Sequence, residues 1–329
     1  MHSSWPYPVH FGDDTKIPVP PNGDIINELL LRIVWPSTDP VNTSVATAMI
    51  DFIEIQYKED VIERIYGENI FIQNELTVPE GKRKGLQSLV GTGTTTPLTE
   101  YYLHLPFTIK LPICALAEPP TLRVVFNESN KFMSVPYKGI LDLELITDYI
   151  FLSDVERDYF MTQPLKYLTT SYQRLQFIID PSETEINIVT SFVNDVKELF
   201  WIIQDSDATD MYKYNYDLKD LTLSFNGVEF LSKNVANGTY LSITQPLEYH
   251  TRTPTSNIYV YSFALNPEHP QPSGEVNMTY VFNQNHRINL LSSAKKRYLR
   301  FYAHSYNVAT IENGQVSMLH TTNEHGFKN

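Results

Sequence analysis

The chain has a single cysteine, Cys114, among its 329 residues. One cysteine cannot form a disulfide within the chain, so a disulfide-stapled fold is excluded and no oxidising compartment is indicated. Long apolar runs are absent too: no stretch approaches the roughly 18 residues that a membrane-spanning helix needs, and the segment MHSSWPYPVHFGDD has no apolar signal core. We therefore expect a soluble chain made in a reducing compartment.

Positive charge is scarce. The sequence has 25 Lys and Arg against 38 Asp and Glu, which gives a formal net charge of −13. Proteins that bind nucleic acid usually present a basic surface, whereas an acidic chain repels phosphate. The two short basic runs, at 81–85 and 295–300, are expected to be solvated loops or strand ends. We predict no direct contact with nucleic acid.

Catalytic and metal-binding motifs are missing as well. The nine histidines form no H-x-H or H-E-x-x-H pattern, and neither C-x-x-C nor G-x-S-x-G occurs. The glycine-rich stretch at 91–96 lacks the lysine of a phosphate-binding loop. His104 and His304 each lie in an alternating strand pattern, where a lone histidine is more often at the core edge or surface than a metal ligand. No catalytic residue, metal site or cofactor is predicted, and a structural role is favoured.

What the sequence does contain favours β-structure. Aromatic residues make up 12% of the chain, with 21 Tyr and 17 Phe, and proline outnumbers glycine by 21 to 13. Aromatic side chains favour strands, and prolines favour stiff turns. Several segments alternate apolar and polar residues with period two, as 141–152 does. The polar stretches 206–217 and 232–240 are expected to be loops, and 79–100 a loop that carries one helical turn.

One segment near the middle of the chain has a helical pattern instead. In SDVERDYFMTQ, Ser153 stands at an N-cap position with Glu156 three residues later, which is the capping-box spacing. Pro164 follows and ends the helix. The sequence therefore predicts a short helix at 153–163.

The two sides of this helix repeat each other in order, which indicates a tandem duplication. The matched positions are Glu28 with Glu198, Ile53 with Leu221, Tyr102 with Tyr259, and Tyr149 with Tyr306. We predict an all-β fold of two tandem eight-stranded jelly-roll β-sandwiches, a double jelly roll joined by a short helix-containing linker. The predicted segments are an N-terminal arm (1–22), a first jelly roll (23–152), a helical linker (153–170), a second jelly roll (171–320) and a C-terminal tail (321–329).

Six stretches in this order carry a family pattern. They are PYPVHFGD, IDFIEIQYKEDVIERIYGENIFIQNELTVPEGKRKG, YLHLPFTIKLPICALAEPPTLRVVF, DYIFLSDVERDYF, VKELFWIIQ and YSFALNPEHPQPSG. Together they resemble the major capsid proteins of nucleocytoplasmic large DNA viruses, the double jelly-roll lineage that includes iridoviruses and algal phycodnaviruses. The resemblance implies a structural protein of the virion.

The same resemblance implies a mode of assembly. Three chains would form a homotrimeric, pseudo-hexagonal capsomer, and such capsomers would tile an icosahedral shell built in the host cytoplasm. The implied partners are neighbouring capsomers, penton and minor capsid proteins, and an internal membrane reached through minor proteins. Three alternatives stay open: a minor capsid paralogue of the same fold, a carbohydrate-binding β-sandwich, and a metal-dependent jelly-roll enzyme.

Two segments are candidates for subunit contacts. The N-terminal arm is expected to dock under the capsomer, or else to be a disordered terminus, and its candidate anchors are Trp5, Tyr7 and Phe11. The second segment, NPEHPQPSG at 266–274, is called the corner loop below. It is expected to be a rigid edge that meets another subunit, or an ordinary chain reversal, and its key residues are Pro267, Pro270, Pro272 and Gly274.

Overall fold

The computed structural model describes residues 2–35, 44–91, 98–133 and 136–320, with the side chains of residues 2 and 3 excepted. The predicted C-terminal tail at 321–329 and most of the glycine-rich stretch at 91–96 lie outside these residues. The first half contains β1 (His2–Ser3), β2 (Tyr7–Val9), β3 (Asp14–Pro18), β4 (Ile25–Val34), β5 (Ile50–Tyr57), β6 (Asp60–Tyr66), β7 (Glu100–Leu105), β8 (Thr121–Phe126) and β9 (Leu141–Ile150). These strands form two antiparallel sheets, β1-β9-β4-β7 with β2 also on β9, and β3-β8-β5-β6.

The second half repeats this arrangement. Its strands are β10 (Leu165–Ile179), β11 (Glu185–Thr190), β12 (Asp195–Asp205), β13 (Leu218–Phe225), β14 (Val228–Leu231), β15 (Tyr259–Ser262), β16 (Val276–Asn277), β17 (Gln284–Leu290), β18 (Arg297–Glu312) and β19 (Gln315–Met318). The sheets are β10-β18-β12-β15, with β16 on β12 and β19 on β18, and β11-β17-β13-β14. Strand for strand this is the order of the first half, so the predicted all-β double jelly roll is confirmed.

Within the described residues, five α-helices connect the strands: α1 (Val45–Ala48), α2 (Gly67–Thr77), α3 (Glu80–Val90), α4 (Asp154–Thr162) and α5 (Gln245–Tyr249), the last preceded by a π-helical turn at Tyr240–Thr244. The predicted capping box is present in α4, since Ser153 and Glu156 exchange side-chain and backbone hydrogen bonds. The expectation of a loop with one helical turn at 79–100 is wrong, because α3 runs for 11 residues. Only Leu86 and Val90, one turn apart, pack against the core, so the apolar pattern of α3 is faint.

Several predicted segments contain further strands. Residues 7–9 and 14–18, within the predicted arm, pair with β9 and β8 respectively. Residues 165–170, at the end of the predicted linker, are the first six of β10. The structure therefore places regular β-pairing inside both segments.

Irregular pairing falls at equivalent points in the two halves. The register of β4 against β9 shifts between Ile26 and Glu28, and that of β12 against β18 shifts between Val196 and Glu198. An extra residue at a β-bulge is a fixed feature of a strand, so this coincidence confirms the match of Glu28 with Glu198. A shift before Phe52 in β5 and another before Asp220 in β13 likewise support the match of Ile53 with Leu221.

The two tyrosine matches are wrong by one residue. They aligned identical side chains, whereas pairing with the neighbouring strand fixes which positions are equivalent. The pairing gives as counterparts Tyr149 with Ser305, and Leu103 with Tyr259.

Strand β12 is buried on both faces. Leu199, Trp201 and Ile203 point into the core of the second barrel, whereas Phe200 and Ile202 join the apolar cluster of the first barrel. Alternate residues of a strand face opposite sides, so the sheet β10-β18-β12-β15 lies between its own partner sheet and the first barrel. The two jelly rolls share a continuous apolar junction.

Candidate subunit contacts and the cleft between the barrels

Charged side chains cross the junction and are paired there. Arg300 of β18 donates two hydrogen bonds to the carboxylate of Glu68 in α2, both at 2.7 Å. The hydroxyls of Tyr214 and Tyr302 donate to the same carboxylate. Burial would raise the pKa of Glu68, but the charge of Arg300 and these hydrogen bonds lower it. Glu68 is therefore held ionised inside the junction.

The carboxyl-terminal end of α2 is held by the second barrel. Arg252 donates to the Glu75 carbonyl at 2.8 Å and to its carboxylate at 2.9 Å. The other carboxylate oxygen of Glu75 accepts from the Thr255 amide at 2.8 Å and from its hydroxyl at 2.6 Å. Because these contacts are directional as well as charged, they fix the orientation of one barrel against the other.

A third buried carboxyl group completes the junction. Glu63 of β6 accepts from the Thr108 amide at 2.9 Å, and from the hydroxyls of Thr169 at 3.1 Å and Thr170 at 3.0 Å. Burial raises the pKa of Glu63, with these hydrogen bonds opposing the shift. The carboxyl groups of Glu63, Glu68 and Glu75 are thus all hydrogen-bonded within the chain.

A cleft of about 390 Å³ opens beside the junction. The first barrel supplies α2 and the segment 106–110 to its walls, and the second barrel supplies part of the corner loop. Lys197, Glu198, His250 and His304 also line the cleft and are nearly fully buried. The corner loop therefore shapes a cleft at the meeting of the two barrels.

Glu198 lies between two imidazoles. Its Oε1 is 3.0 Å from His250 Nε2, and its Oε2 is 3.1 Å from His304 Nδ1. Burial alone would lower the pKa of His250, but the charge of Glu198 raises it to about 9. Burial, followed by the charge of Lys197, lowers the pKa of His304 to about 4. At neutral pH one imidazole is a cation and the other is neutral.

The corner loop is anchored to the floor of this cleft. Lys197 Nζ donates to the Pro267 carbonyl at 2.8 Å. The Glu268 carboxylate accepts from the Thr251 amide at 2.7 Å and lies 3.3 Å from His250 Nδ1. These contacts hold the loop in one shape without help from another molecule.

The four candidate residues of the corner loop lie in different environments. Pro267 is buried, whereas Pro270 and Pro272 are exposed. Gly274 has φ +148°, and a Cβ atom there would lie 2.4 Å from the Phe263 carbonyl oxygen. Only glycine fits this backbone and this contact. The exposed prolines are the part of the loop that is free to meet a neighbour.

The three candidate anchors of the N-terminal arm also differ. Phe11 packs edge-on against Trp35 at 5.6 Å and Phe132 at 5.1 Å between ring centroids, inside its own barrel. Tyr7 is half-buried in β2. Trp5 is 88% exposed. Of the three, Trp5 has its side chain available for contact with another molecule.

Metal chemistry and membrane spanning have no visible basis in the part of the chain that the structure describes. No grouping of three or more His, Cys, Asp or Glu side chains there is suited to hold a metal ion. Within the same residues, no helix combines the length and apolar character needed to cross a bilayer.

Few features of the sequence indicate the cluster of Glu198, His250 and His304. Its members come from three distant segments, and His304 is buried rather than at the core edge or surface as expected, while His104 is exposed. The one available signal was Glu198 itself, a carboxylate followed at once by the apolar run LFWII. A charge beside such a run indicates a buried and paired group.

Comparisons with known proteins agree with this architecture. A family model for the large eukaryotic DNA virus major capsid protein matches residues 156–317, and one for the major capsid protein N-terminus matches residues 2–153. The major capsid protein of Pyramimonas orientalis virus is 28% identical over an alignment of 357 positions, which covers 95% of this chain and 87% of that protein. The major capsid protein of Paramecium bursaria Chlorella virus 1 is 23% identical over an alignment of 334 positions, which covers 84% of this chain and 75% of that protein.

Solved structures show the same fold. A quasi-atomic model of the PBCV-1 virus capsid superposes with a TM-score of 0.84 at 19% identity, covering 98% of this chain and 96% of the other. The Faustovirus major capsid protein superposes with a TM-score of 0.75 at 9% identity, covering 94% of this chain and 90% of the other. The fold and the two family models together define a double jelly-roll capsid protein. The chain belongs to the major capsid proteins of nucleocytoplasmic large DNA viruses, and it is a structural component of the virion, not an enzyme.

Proposed function

We propose that the chain forms a homotrimeric, pseudo-hexagonal capsomer that tiles an icosahedral shell. The observation that carries this proposal is the equivalence of the two barrels, which share strand order and bulge positions. Three copies around a threefold axis present six similar barrels, so one trimer can make near-sixfold contacts with its neighbours. The paired charges and shared apolar core of the junction support a rigid building block.

The proposed units are the segments predicted from the sequence. Residues 23–152 and 171–320 act as the two wedges, 153–170 as the link, and 1–22 as an arm that reaches a neighbour through Trp5. A permanent interface within the trimer should bury on the order of 2,000–5,000 Å². Contacts between trimers are weaker, so that errors dissociate before the shell closes.

Large apolar side chains that stay exposed on the single chain support this assembly. The most exposed are Trp5 (88%), Phe282 (87%), Val155 (82%), Leu265 (76%), Tyr280 (71%), Val228 (71%) and Leu247 (71%). Such side chains are costly to leave in water when they gather into a patch, and contact with further subunits removes that cost. Leu265 directly precedes the corner loop, which we propose as a subunit contact through Pro270 and Pro272.

The proposed partners are neighbouring capsomers, penton proteins and minor capsid proteins, with an internal membrane reached through minor proteins. The net charge of −13 opposes direct contact with the genome. Assembly is proposed to take place in the host cytoplasm.

Light scattering on the purified chain tests the central proposal. A stable species of about three times the chain mass of 37.9 kDa is expected, and averaged electron micrographs of it should be hexagonal. A strict monomer at high concentration, without hexagonal particles, contradicts the trimer. Counting copies per purified virion then separates a main capsomer protein from a minor one of the same fold.

A further inference from the structure

The cluster around Glu198 connects the corner loop to two different strands. Glu198 lies in β12, His304 in β18, and His250 directly after α5. His250 contacts Glu198 with one ring nitrogen and Glu268 of the corner loop with the other. Lys197, next to Glu198, donates to the Pro267 carbonyl. The first residues of the loop are therefore attached to the same cluster at two points.

The charges of the cluster balance when the loop is in place. Two carboxylates, Glu198 and Glu268, face two cations, Lys197 and His250, while the ring of His304 is neutral and stacks on Tyr172 at 4.1 Å. The titratable groups that face the cluster from all packed elements are Glu63 on β6, Tyr172 on β10, Lys197 and Glu198 on β12, His250 after α5, Glu268 and His269 on the corner loop, Tyr306 on β18, and Lys110 on the first-barrel wall.

We propose that Glu198, His250 and His304 form an acid-sensitive latch that holds the corner loop against the cleft and releases it when His304 takes up a proton. Protonated His304 is a third cation beside Lys197 and His250, whose charges Glu198 and Glu268 already balance. His304 Nε2 has no hydrogen-bond partner in the closed arrangement, so its added proton needs water. Moving the loop away from the cleft admits that water.

The direction of the pH dependence follows from proton linkage. With the loop closed the pKa of His304 is about 4, against 6.5 for a hydrated imidazole, so the closed form loses stability as pH falls from 6.5 to 4. Taken alone, this difference raises the ratio of open to closed loop about 20- to 30-fold between pH 7 and pH 5. His250 acts oppositely, because its raised pKa gives stability that is present below 6.5 and lost as pH rises to about 9. Between pH 7 and pH 5 it lowers the ratio of open to closed loop about fourfold, so the two histidines together give a net rise of about five- to sixfold. The latch is tightest near pH 6.5.

Hydrogen exchange of the full chain, read by mass spectrometry, tests the latch. The reporters are loop amides bonded within the loop, including His269 N to the Asn266 carbonyl at 3.3 Å. After correction for intrinsic exchange, opening in the native chain should rise about five- to tenfold from pH 7 to pH 5, the upper end including the carboxylates. His304→Asn retains a donor near Nδ1 but cannot take up the proton. Its opening should therefore stay level or fall from pH 7 to pH 5, because the opposing effect of His250 exceeds the small effect of the carboxylates.

A matched control separates the latch from general acid destabilisation. His286→Gln removes another buried neutral histidine of the second barrel, one that does not line the cleft, and should leave the acid response of the loop intact. A native loop whose corrected exchange is flat from pH 7 to pH 5, or a His304→Asn profile equal to the native one, overturns the proposal. Hydrogen exchange reports on each chain whether or not the chain is part of a trimer. A monomeric protein that shows the expected acid response therefore contradicts the trimer alone. A trimer whose corrected exchange does not change with pH contradicts the latch alone.

Discussion

Arg300 of the second barrel and Glu68 of the first form a two-point ion pair at the junction, with both N–O distances at 2.7 Å. The side chains are only 12% and 10% exposed. Removing one partner of such a pair leaves the other charge buried without compensation, which costs more than the pair itself contributes.

We therefore expect Glu68→Gln to lower the free energy of unfolding by about 3–5 kcal/mol. Chemical denaturation followed by tryptophan fluorescence measures the loss. Glu100→Gln is the control, because Glu100 is 42% exposed and its partner Arg32 keeps a second carboxylate at Glu144. That change should cost much less, because solvent screens an exposed ion pair. Equal losses for the two variants contradict a special role for the junction pair.

Two glycines in different settings give opposite predictions. Gly274→Ala should destabilise the chain by about 1–3 kcal/mol, because its backbone has φ +148° and the new Cβ meets a carbonyl oxygen. Gly85→Ala in α3, where nothing lies within 4 Å of the new atom, should stabilise by about 0.5–1 kcal/mol. Thermal unfolding by calorimetry reports both signs, and a neutral Gly274→Ala means that the corner loop relaxes freely.

Two of the three aromatic residues of the N-terminal segment, Phe11 and Trp5, allow folding to be tested separately from assembly. Phe11→Ala removes a ring packed on Trp35 and Phe132, so we expect it to lower stability by about 2 kcal/mol. Trp5→Ala removes an exposed side chain and should leave stability within about 0.5 kcal/mol. If Trp5 is the anchor of the arm, its variant should yield normal trimers but fewer closed shells in an assembly assay. Normal shell yield from Trp5→Ala removes the arm from the assembly model.

Because of the buried imidazole of His286, we expect the global stability of the chain to depend on pH. It is buried beside Phe301 at 5.0 Å between ring centroids, and burial lowers its pKa to about 3. Its folded pKa lies below the unfolded value, so its contribution to stability is lost as pH falls from 6.5 towards 3. Relative to His286→Gln, the native chain should lose about 3 kcal/mol more between pH 7 and pH 4. Thr190→Val, which removes only the hydroxyl at 3.1 Å, should retain the native slope.

The fold was largely predictable because strand period and tandem repetition are properties of neighbouring residues. The matches of Glu28 with Glu198 and of Ile53 with Leu221 agree with the positions of the β-bulges. Matching tyrosines by identity, in contrast, led to an error of one position. Helix α2 had no clear pattern, since Ile70, Phe71 and Ile72 are consecutive and all buried. Such a run has neither period two nor period 3.6.

The cleft was much less predictable. Glu198, His250 and His304 meet only after three remote segments pack together, and no spacing along the chain encodes that meeting. The rigid corner loop was predicted from its prolines and Gly274, but its attachment through Lys197 depends on a bulge that only pairing reveals. Local chemistry predicts the stiffness of a segment, whereas its neighbours are set by tertiary structure.

The double burial of β12 also bears on the kinetics of building a shell. Contact between the first and second barrels is made within one molecule, so it forms at the same rate in a dilute or a crowded cell. In the proposed ring of six barrels, half of the barrel-to-barrel seams are therefore complete before any two chains collide. The remaining three seams of the ring, like the contacts between trimers, form only when separate chains meet and therefore depend on protein concentration.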